Sequence, residues 1–493
     1  MPKPLRYWFL TPPKTFDTFE ADLFDVMQVA KNIYAPLVST FIDGAPQGMI
    51  AEDWQVDKSG KVWRFRVKKG LKFEDGTPIT PEAVLENFRR IFWLTKDDDL
   101  ALNSLLPGVK ERKRYEDPIP GLHVDGDSLV FEFTRRPRNL FETIEQPVYG
   151  IANPKCFGAG GGWKEPFCLA ESGAYRVKSV SAEKVVLQSR HAYPAVSDAP
   201  ETVEILALGM NDNLIDTLAA GYGDIALTQR FAISRETISE MEGRGLKMVD
   251  APPTEMHFVQ LNAGRAPFSD KLLRQSVRDV FQDLLRRNRD FSAEIATDPS
   301  FIPRGGIGYR TFAPPAAPRA RVKRHAAVEV LLYPIARYPS PRDQKIQVAL
   351  EASLLDALRQ HGLEPRITRY ADRSPAIARL RSGDFDVIVR GTALLADDPY
   401  ADLRMMFMSK VGALIPDPSG TVPALIKQAE ANDDPEERRK LVERINASVY
   451  DEASIVTFAH SGLVYLHNAA VDLSRVNLFT DPIEFRAVGW KPK

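Results

Sequence analysis

A short segment late in the chain joins a buried strand to groups that bind charged ligands. Residues 387–389 read as an apolar strand, and the candidate ligand contacts that follow it are Arg390, Gly391, Thr392, Ala393, Leu395 and Asp397. The Arg390 guanidinium can hold a carboxylate or a phosphate, and a salt bridge at the surface accounts for it equally well. Asp397 can neutralise a cation, whereas Asp398 before Pro399 favours a turn cap. These groups suit binding rather than bond cleavage.

No catalytic or metal-binding signature accompanies them. The sequence has no G-x-S-x-G, H-E-x-x-H or Walker pattern, and the glycine-rich residues 158–163 fail the dinucleotide pattern because Trp163 stands where its third glycine belongs. Trp163 can offer a stacking platform for a sugar or another ring, or it can anchor its loop. The seven histidines are scattered, and each is expected in the core or on the surface. We therefore expect no enzyme activity and no cofactor.

Cys156 and Cys168 are the only cysteines, and they flank the same glycine-rich loop. A disulfide between them would close a loop of about 13 residues and stabilise by roughly 3 kcal/mol in an oxidising compartment. The bonded and reduced states are both open at this point. Two isolated cysteines do not complete a zinc site, and their spacing is not C-x-x-C.

Length and charge limit the classes of protein and partner. The 493 residues exceed what one core usually holds, so we expect two or three domains. Lys and Arg total 65 against 66 Asp and Glu, a balance that argues against nucleic acid as a partner. No run approaches the 18 or so apolar residues of a bilayer span, and residues 1–6 lack a secretory signal. An exported protein without its leader and a cytoplasmic protein both fit this beginning.

Two distant segments share one pattern of elements. In the first, a strand near residues 203–207 precedes a helix near 212–220, and in the second a strand near 365–369 precedes a helix near 374–381. A glycine ends each helix, at 221 and 383, and an Asp opens the following strand, at 224 and 386. Each segment is a βαβ unit. Because they lie more than 150 residues apart, they predict two α/β lobes, which bind ligands beyond the carboxyl ends of their strands.

Residues 49–92 predict a strand, a turn and a capped helix. Trp63, Phe65 and Val67 alternate with charged residues, as in a half-buried strand. Thr80 can cap the helix that follows and Pro81 suits its first position. The apolar face of this helix consists of Val84, Leu85, Phe88, Ile91 and Phe92.

The specific residues in this stretch resemble the extracytoplasmic solute-binding proteins of ABC importers, in the family that includes oligopeptide, dipeptide and nickel binders. The matching residues are Ala51-Glu52-Asp53-Trp54, Gly70-Leu71-Lys72-Phe73, Asp75-Gly76-Thr77-Pro78 and Thr80. A second resemblance covers residues 261–275, with Pro267-Phe268-Ser269-Asp270 and Arg274-Gln275. A third, over residues 172–177, departs from the family because Ala174 replaces the usual proline.

The resemblance implies a two-lobed periplasmic-binding-protein (Venus flytrap) fold of the α/β class with an additional accessory domain. We expect lobe I to comprise residues 1–39, 172–253 and 462–493. The accessory domain, residues 40–171, is inserted in lobe I, and residues 254–461 form lobe II. The segment of residues 49–92 then lies in the accessory domain, where it identifies the scaffold and says little about the solute.

The resemblance also places ligand contacts on both lobes. Residues 16–18 resemble the family's first-lobe start, and by that register the residues nearest the cleft are Asp22, Leu23 and Phe24. In peptide-binding relatives an aromatic side chain commonly follows the glycine of the late strand, and an aspartate three residues before the acidic-proline pair anchors the peptide amine. Here Thr392 and Leu395 occupy those positions. Because an apolar side chain cannot neutralise a buried ammonium, the usual amine anchor is missing.

The function implied is a monomeric periplasmic receptor that captures a small solute between two lobes and delivers it to a membrane ABC permease. Its solute is then an opine, an oligosaccharide, a modified peptide or an organic acid, rather than an ordinary peptide with a free amine. An alternative is the ligand-sensing domain of a transcriptional regulator, since related domains occur fused to DNA-binding modules. An enzyme on the same fold ranks last, because no nucleophile and base cluster in the sequence.

Overall fold

The computed structural model describes residues 3–9, 13, 15–19, 24–40, 45–96, 102–169, 171–207, 214–230, 233–313, 326–332, 343–370, 373–394, 399–408, 415, 417–478 and 482–491. The chain divides into two compact units. Unit 1 comprises Met1–Leu227, Gly245–Lys247 and Leu466–Lys493, and unit 2 comprises Thr228–Arg244 and Met248–Tyr465.

Strands and helices alternate along the described chain. The elements up to residue 250 are β1 (Leu5–Phe9), α1 (Phe24–Ile33), β2 (Val38–Ser39), β3 (Gln47–Gly48), β4 (Ala51–Val56), β5 (Val62–Val67), α2 (Pro81–Leu94), β6 (Leu122–Asp125), β7 (Ser128–Glu132), α3 (Leu140–Ile144), β8 (Tyr175–Val180), β9 (Lys184–Ser189), β10 (Thr202–Ala207), α4 (Leu214–Ala219), β11 (Ile225–Gln229), α5 (Arg235–Gly243) and β12 (Leu246–Asp250).

The later elements continue this mixture. They are β13 (Glu255–Leu261), α6 (Lys271–Arg287), α7 (Arg289–Ser292), β14 (Ala326–Leu332), α8 (Gln344–Gln360), β15 (Leu363–Arg369), α9 (Arg373–Ser382), β16 (Val387–Ala393), α10 (Tyr400–Met408), α11 (Thr421–Ala431), α12 (Pro435–Glu452), β17 (Ile455–Ser461), β18 (Leu463–Asn468), β19 (Val471–Asp472) and β20 (Gly489–Trp490).

A seven-stranded sheet contains the first predicted βαβ unit. Its strand order is β12-β18-β11-β1-β10-β9-β8, and β1 pairs in parallel with both β10 and β11. Helix α4 connects β10 to β11, as predicted. Gly223, just before β11, is required by close packing, because a Cβ atom there would come within 1.7 Å of Trp8 Nε1.

A four-stranded antiparallel sheet, ordered β4-β5-β7-β6, occupies the region predicted to be accessory. Helix α2 begins where the sequence indicated: the Thr80 hydroxyl accepts a hydrogen bond from the Ala83 amide, and Pro81 is the first helical residue. The predicted apolar face packs as expected, since Val84, Phe88 and Phe92 are fully buried. Thr80 and the apolar stripe thus fix both the start of α2 and its orientation.

Unit 2 contains a five-stranded sheet ordered β15-β14-β16-β13-β17. Strand β14 pairs in parallel with β15 and β16, whereas β13 runs antiparallel to β16 and β17. The second predicted βαβ unit is therefore present, with α9 between β15 and β16. The carboxyl ends of β14, β15 and β16 lie at one edge of the sheet, where ligands bind in α/β folds.

The two compact units do not coincide with the predicted lobes and accessory domain. Residues 40–171 lie in unit 1 together with most of predicted lobe I, while Thr228–Arg244, expected in lobe I, lie in unit 2. Hydrogen bonds explain the second placement. The Ser234 amide and the Thr237 hydroxyl donate to Asp343 at 2.7 and 2.9 Å, and the Arg235 amide donates to Glu294 at 2.9 Å. The predicted boundaries of lobe I, the accessory domain and lobe II all stay predictions.

Candidate functional site

Four of the ten predicted ligand contacts lie outside the described residues: Asp22, Leu23, Leu395 and Asp397. Phe24 is the first residue of α1, with only its backbone described. The remaining five, Trp163, Arg390, Gly391, Thr392 and Ala393, have described positions in two separate regions, one in each unit.

The region in unit 1 is built on a disulfide loop. Cys156 and Cys168 are bonded, with their Cα atoms 5.8 Å apart, and Cys156 is fully buried. Within the loop Phe157 pairs with Trp163 through an isolated β-bridge, and their rings lie 5.9 Å apart. The bond holds the base of the loop, so Phe157 and Trp163 form one aromatic surface.

Arg90 of α2 lies under this surface. Its guanidinium carbon is 5.1 Å from the ring centres of both Phe157 and Trp163, and 5.2 Å from that of Phe19. Its Nη2 donates to Asp17 Oδ2 at 2.7 Å, and both side chains are nearly fully buried, with 5% and 2% exposed. We call Asp17, Phe19, Arg90, Phe157 and Trp163 the Arg90 cluster. In it, a buried cation has both a carboxylate and aromatic faces as partners.

The Arg90 guanidinium lies over one face of the Trp163 ring, and the stacking and anchoring roles both stay predictions. Its indole N–H is buried and has no hydrogen-bond acceptor among the described residues. The side chain also lines a small cavity, together with Phe16, Thr18, Phe19, Tyr34, Asn87 and Arg90. Burial, with the carboxylates of Glu171 and Asp17 nearby, raises the pKa of the Tyr34 phenol well above its usual value. Tyr34 thus stays neutral and donates to the Phe16 carbonyl at 3.2 Å.

The region in unit 2 is the end of β16, which we call the β16 edge. It comprises Arg390, Gly391, Thr392 and Ala393, together with His257 on the adjacent strand β13 and Ser461 on β17, which pairs with the other side of β13. Arg390 is buried, and its guanidinium carbon lies 5.2 Å from the ring centre of Phe258, its partner across the sheet. Gly391, Thr392 and Ala393 are half-buried. The ligand contact and the salt bridge that the sequence left open for Arg390 both stay predictions.

Histidine side chains at this edge were not singled out by the sequence. His257 on β13 lies opposite Gly391, and its Nε2 is 2.6 Å from the Ser461 hydroxyl oxygen. Burial, with His460 nearby, lowers the pKa of His257 to about 3, and burial lowers the pKa of His460 as well. Both imidazoles are therefore neutral at physiological pH. The pairing of β13 with β17, some 200 residues later in the chain, left no local signal in the sequence.

His257 and Ser461 bring an imidazole and a hydroxyl together, and both residues are buried, with 0% and 5% exposed. Over the described ranges, no three His, Cys, Asp or Glu side chains are grouped so that they could hold a metal ion. The described helices include none with the length and apolar composition of a membrane span.

Comparison with known proteins adds a family and two relatives. A family model described as bacterial extracellular solute-binding proteins, family 5 Middle, matches residues 45–278. The periplasmic oligopeptide-binding protein OppA of Salmonella typhimurium is 23% identical over 294 residues, 55% of this chain and 52% of OppA. The probable D,D-dipeptide-binding periplasmic protein DdpA of Escherichia coli is 21% identical over 426 residues, 83% of this chain and 78% of DdpA. The chain thus spans about half the length of the first of these relatives.

The same architecture occurs in a solved structure. OppA of Haemophilus influenzae, in complex with the peptide RPPGFSPFR, superposes with a TM-score of 0.80 at 15% identity, covering 99% of this chain and 98% of that one. At this identity the similarity concerns the fold. It confirms the two-lobed periplasmic-binding-protein fold of the α/β class.

Proposed function

Because the chain belongs to the family 5 bacterial extracellular solute-binding proteins, we propose that it is the solute receptor of an ABC importer. It binds a small solute in the periplasm and delivers it to a membrane permease, as a monomer and without chemical change to the solute. The observation that carries this proposal is the family match over residues 45–278, which includes the motif around Gly70 and Thr80. The regulator alternative has no support among the relatives reported above.

The solute class follows from the missing amine anchor. Thr392 holds the position where an aromatic is common, and Leu395, outside the described residues, holds that of the aspartate. In the described part of the β16 edge, Arg390 is a buried cation and His257 is neutral, so neither favours an ammonium group. We therefore propose an opine, an oligosaccharide, a modified peptide or an organic acid as solute, not an ordinary peptide.

Native mass spectrometry of the purified protein, followed by a thermal-shift panel, tests this proposal. A solute present at 100 times its dissociation constant should stabilise the protein by about 2.7 kcal/mol. The panel should contain one member of each proposed class and, as the matched control, a tripeptide with a free amine. Stabilisation by the tripeptide alone would contradict the solute assignment. A stable DNA complex would favour the regulator.

Capture between two lobes remains a prediction, and small-angle scattering checks it. The radius of gyration should fall when the solute identified by mass spectrometry is added, because contacts with both lobes favour a closed state. The control is a panel compound that gives no thermal shift. An unchanged radius with bound solute would count against lobe closure while leaving the receptor function intact.

A further inference from the structure

The disulfide-closed loop, residues 156–168, packs on residues 15–19. The Phe16 amide donates to the Pro166 carbonyl at 2.6 Å, and the Thr15 hydroxyl donates to the same oxygen at 3.0 Å. The rings of Phe16 and Phe167 meet edge to face at 5.1 Å. The loop therefore supplies backbone and side-chain partners to a segment about 150 residues earlier in the chain.

Arg90, in helix α2, contacts both the loop and residues 15–19. Its Nη2 donates to Asp17 and its Nε donates to the Gly161 carbonyl of the loop, each at 2.7 Å. Its guanidinium also lies near rings from both segments, those of Phe19 and Trp163. Because one planar group makes these contacts together, displacement of the loop removes partners from Arg90 while Asp17 still needs its charge.

Residues 15–19 lead directly to Asp22, Leu23 and Phe24, the predicted first-lobe contacts. Within the segment, the Asp17 amide donates to Thr15 Oγ1 at 3.0 Å and the Phe19 amide donates to Asp17 Oδ1 at 3.1 Å. These bonds are local turns, which do not by themselves fix where the segment lies. Its position depends on the loop, on Arg90 and on the Tyr34 hydroxyl that donates to the Phe16 carbonyl.

We propose that Arg90 is a positioning residue and that the oxidised loop of residues 156–168 is a redox-sensitive clamp on residues 15–19. Reduction by a dithiol releases the clamp. A dithiol thiolate attacks the Sγ of Cys168, the half-exposed cysteine, and Cys156 leaves as a thiolate. The second dithiol sulfur then attacks the dithiol sulfur of this mixed disulfide, so Cys168 leaves as a thiolate and the dithiol is closed into its own disulfide. Two electrons pass from the dithiol to the cysteines, which take up its two protons. That the positioned segment serves solute binding rests on the proposed function, whereas the clamp does not.

Hydrogen–deuterium exchange of the full chain without solute tests the clamp. Amides in a peptic fragment covering residues 15–19 should exchange at least about tenfold faster after reduction with dithiothreitol, because the Phe16 amide loses its acceptor. A fragment of β10, in the same unit but in the centre of a sheet, should be unchanged. The double variant Cys156→Ser/Cys168→Ser should exchange rapidly in the segment with or without dithiothreitol.

Arg90 variants supply the second measurement. Arg90→Lys keeps a charge for Asp17 but not the donation to Gly161, so the segment should exchange at a rate between those of the oxidised and reduced protein. Reoxidation should restore protection in the wild-type chain but not in the Cys156→Ser/Cys168→Ser variant. Unchanged exchange of residues 15–19 after verified reduction would overturn the clamp. An equal increase in β10 would also overturn it, because the disulfide would then stabilise the whole unit. Neither outcome bears on solute binding, so the receptor proposal is judged separately.

Discussion

The Arg90 cluster and the β16 edge solve the burial of polar side chains in opposite ways. In the Arg90 cluster a cation keeps its charge, because Asp17 and three aromatic rings surround it. At the β16 edge His257 gives up its charge and binds the Ser461 hydroxyl as a neutral ring. The first arrangement needs partners from several distant segments and a disulfide loop behind them. The second needs only two adjacent strands. It lowers the stability of the fold only at acidic pH, where the unfolded state gains a proton that the buried imidazole does not take up.

The largest expected effect comes from removing the cation of the Arg90 cluster. Arg90→Ala leaves the nearly fully buried Asp17 carboxylate without its ion-pair partner, so the free energy of unfolding should fall by about 3–5 kcal/mol. Urea denaturation followed by tryptophan fluorescence measures the loss. The matched control is Arg114→Ala, whose side chain is 76% exposed beside Asp117, and it should cost about 0–1 kcal/mol. Equal losses in both variants would remove the distinction between the cluster and an ordinary surface pair.

The Arg90 cluster also shows which features could be predicted from the sequence. The cap at Thr80 and the apolar face of α2 follow from residues three or four positions apart, and both were predicted correctly. Arg90 lies in that helix, but the spacing that identified its apolar neighbours says nothing about a carboxylate 73 residues away. Trp163 was identified as an aromatic of interest because its neighbours are glycines, with stacking and loop anchoring left open. Its contact with Arg90 was not predicted, because no local pattern connects the two residues.

The β16 edge shows the same limit in a sheet. Strand β16 was predicted from the run of valines and isoleucine before Arg390, because a buried strand has a local signature. The strand that lies beside β13 is decided by the whole topology, so the contact between His257 and Ser461, 204 residues apart, was missed. At both regions, therefore, the helix or strand could be predicted from local spacing. The contacts between side chains could not, because they join residues far apart in the sequence.

The effect of intermediate size is a dependence of stability on pH, which we expect from the neutral His257 and not from the paired Arg90. The folded pKa of His257 is about 3 and its unfolded pKa is about 6.5, so between these values the unfolded state binds the extra proton. Stability is therefore complete above the unfolded pKa and falls as the pH is lowered, by about 2 kcal/mol for this group between pH 7 and pH 5. His257→Gln, which keeps a neutral hydrogen-bonding side chain, should reduce the pH dependence by that amount.

Chemical denaturation at pH 7 and pH 5 measures this difference. The matched control is His191→Gln, because the His191 side chain is 70% exposed beside Glu201, and it should leave most of the pH dependence in place. If His257→Gln retains the full wild-type dependence on pH, the buried imidazole is not the group that responds to acid, and the described contrast between the two regions loses its electrostatic basis.

The smallest effect tests how closely the β16 edge is packed around its neutral ring. A Cβ atom at Gly391 would lie 3.1 Å from His257 Nδ1, which is tighter than ordinary contact, and the fully buried ring has little room to move. Gly391→Ala should therefore destabilise by about 1 kcal/mol, at the low end of overpacking effects. Gly243→Ala is the control, since nothing lies within 4 Å of its added Cβ and it ends a helix, so it should be neutral or slightly stabilising. Urea midpoints measured in parallel decide the matter. A neutral Gly391→Ala would mean that the edge yields to a methyl group, and the contact of His257 with Ser461 would then depend on their hydrogen bond rather than on close packing.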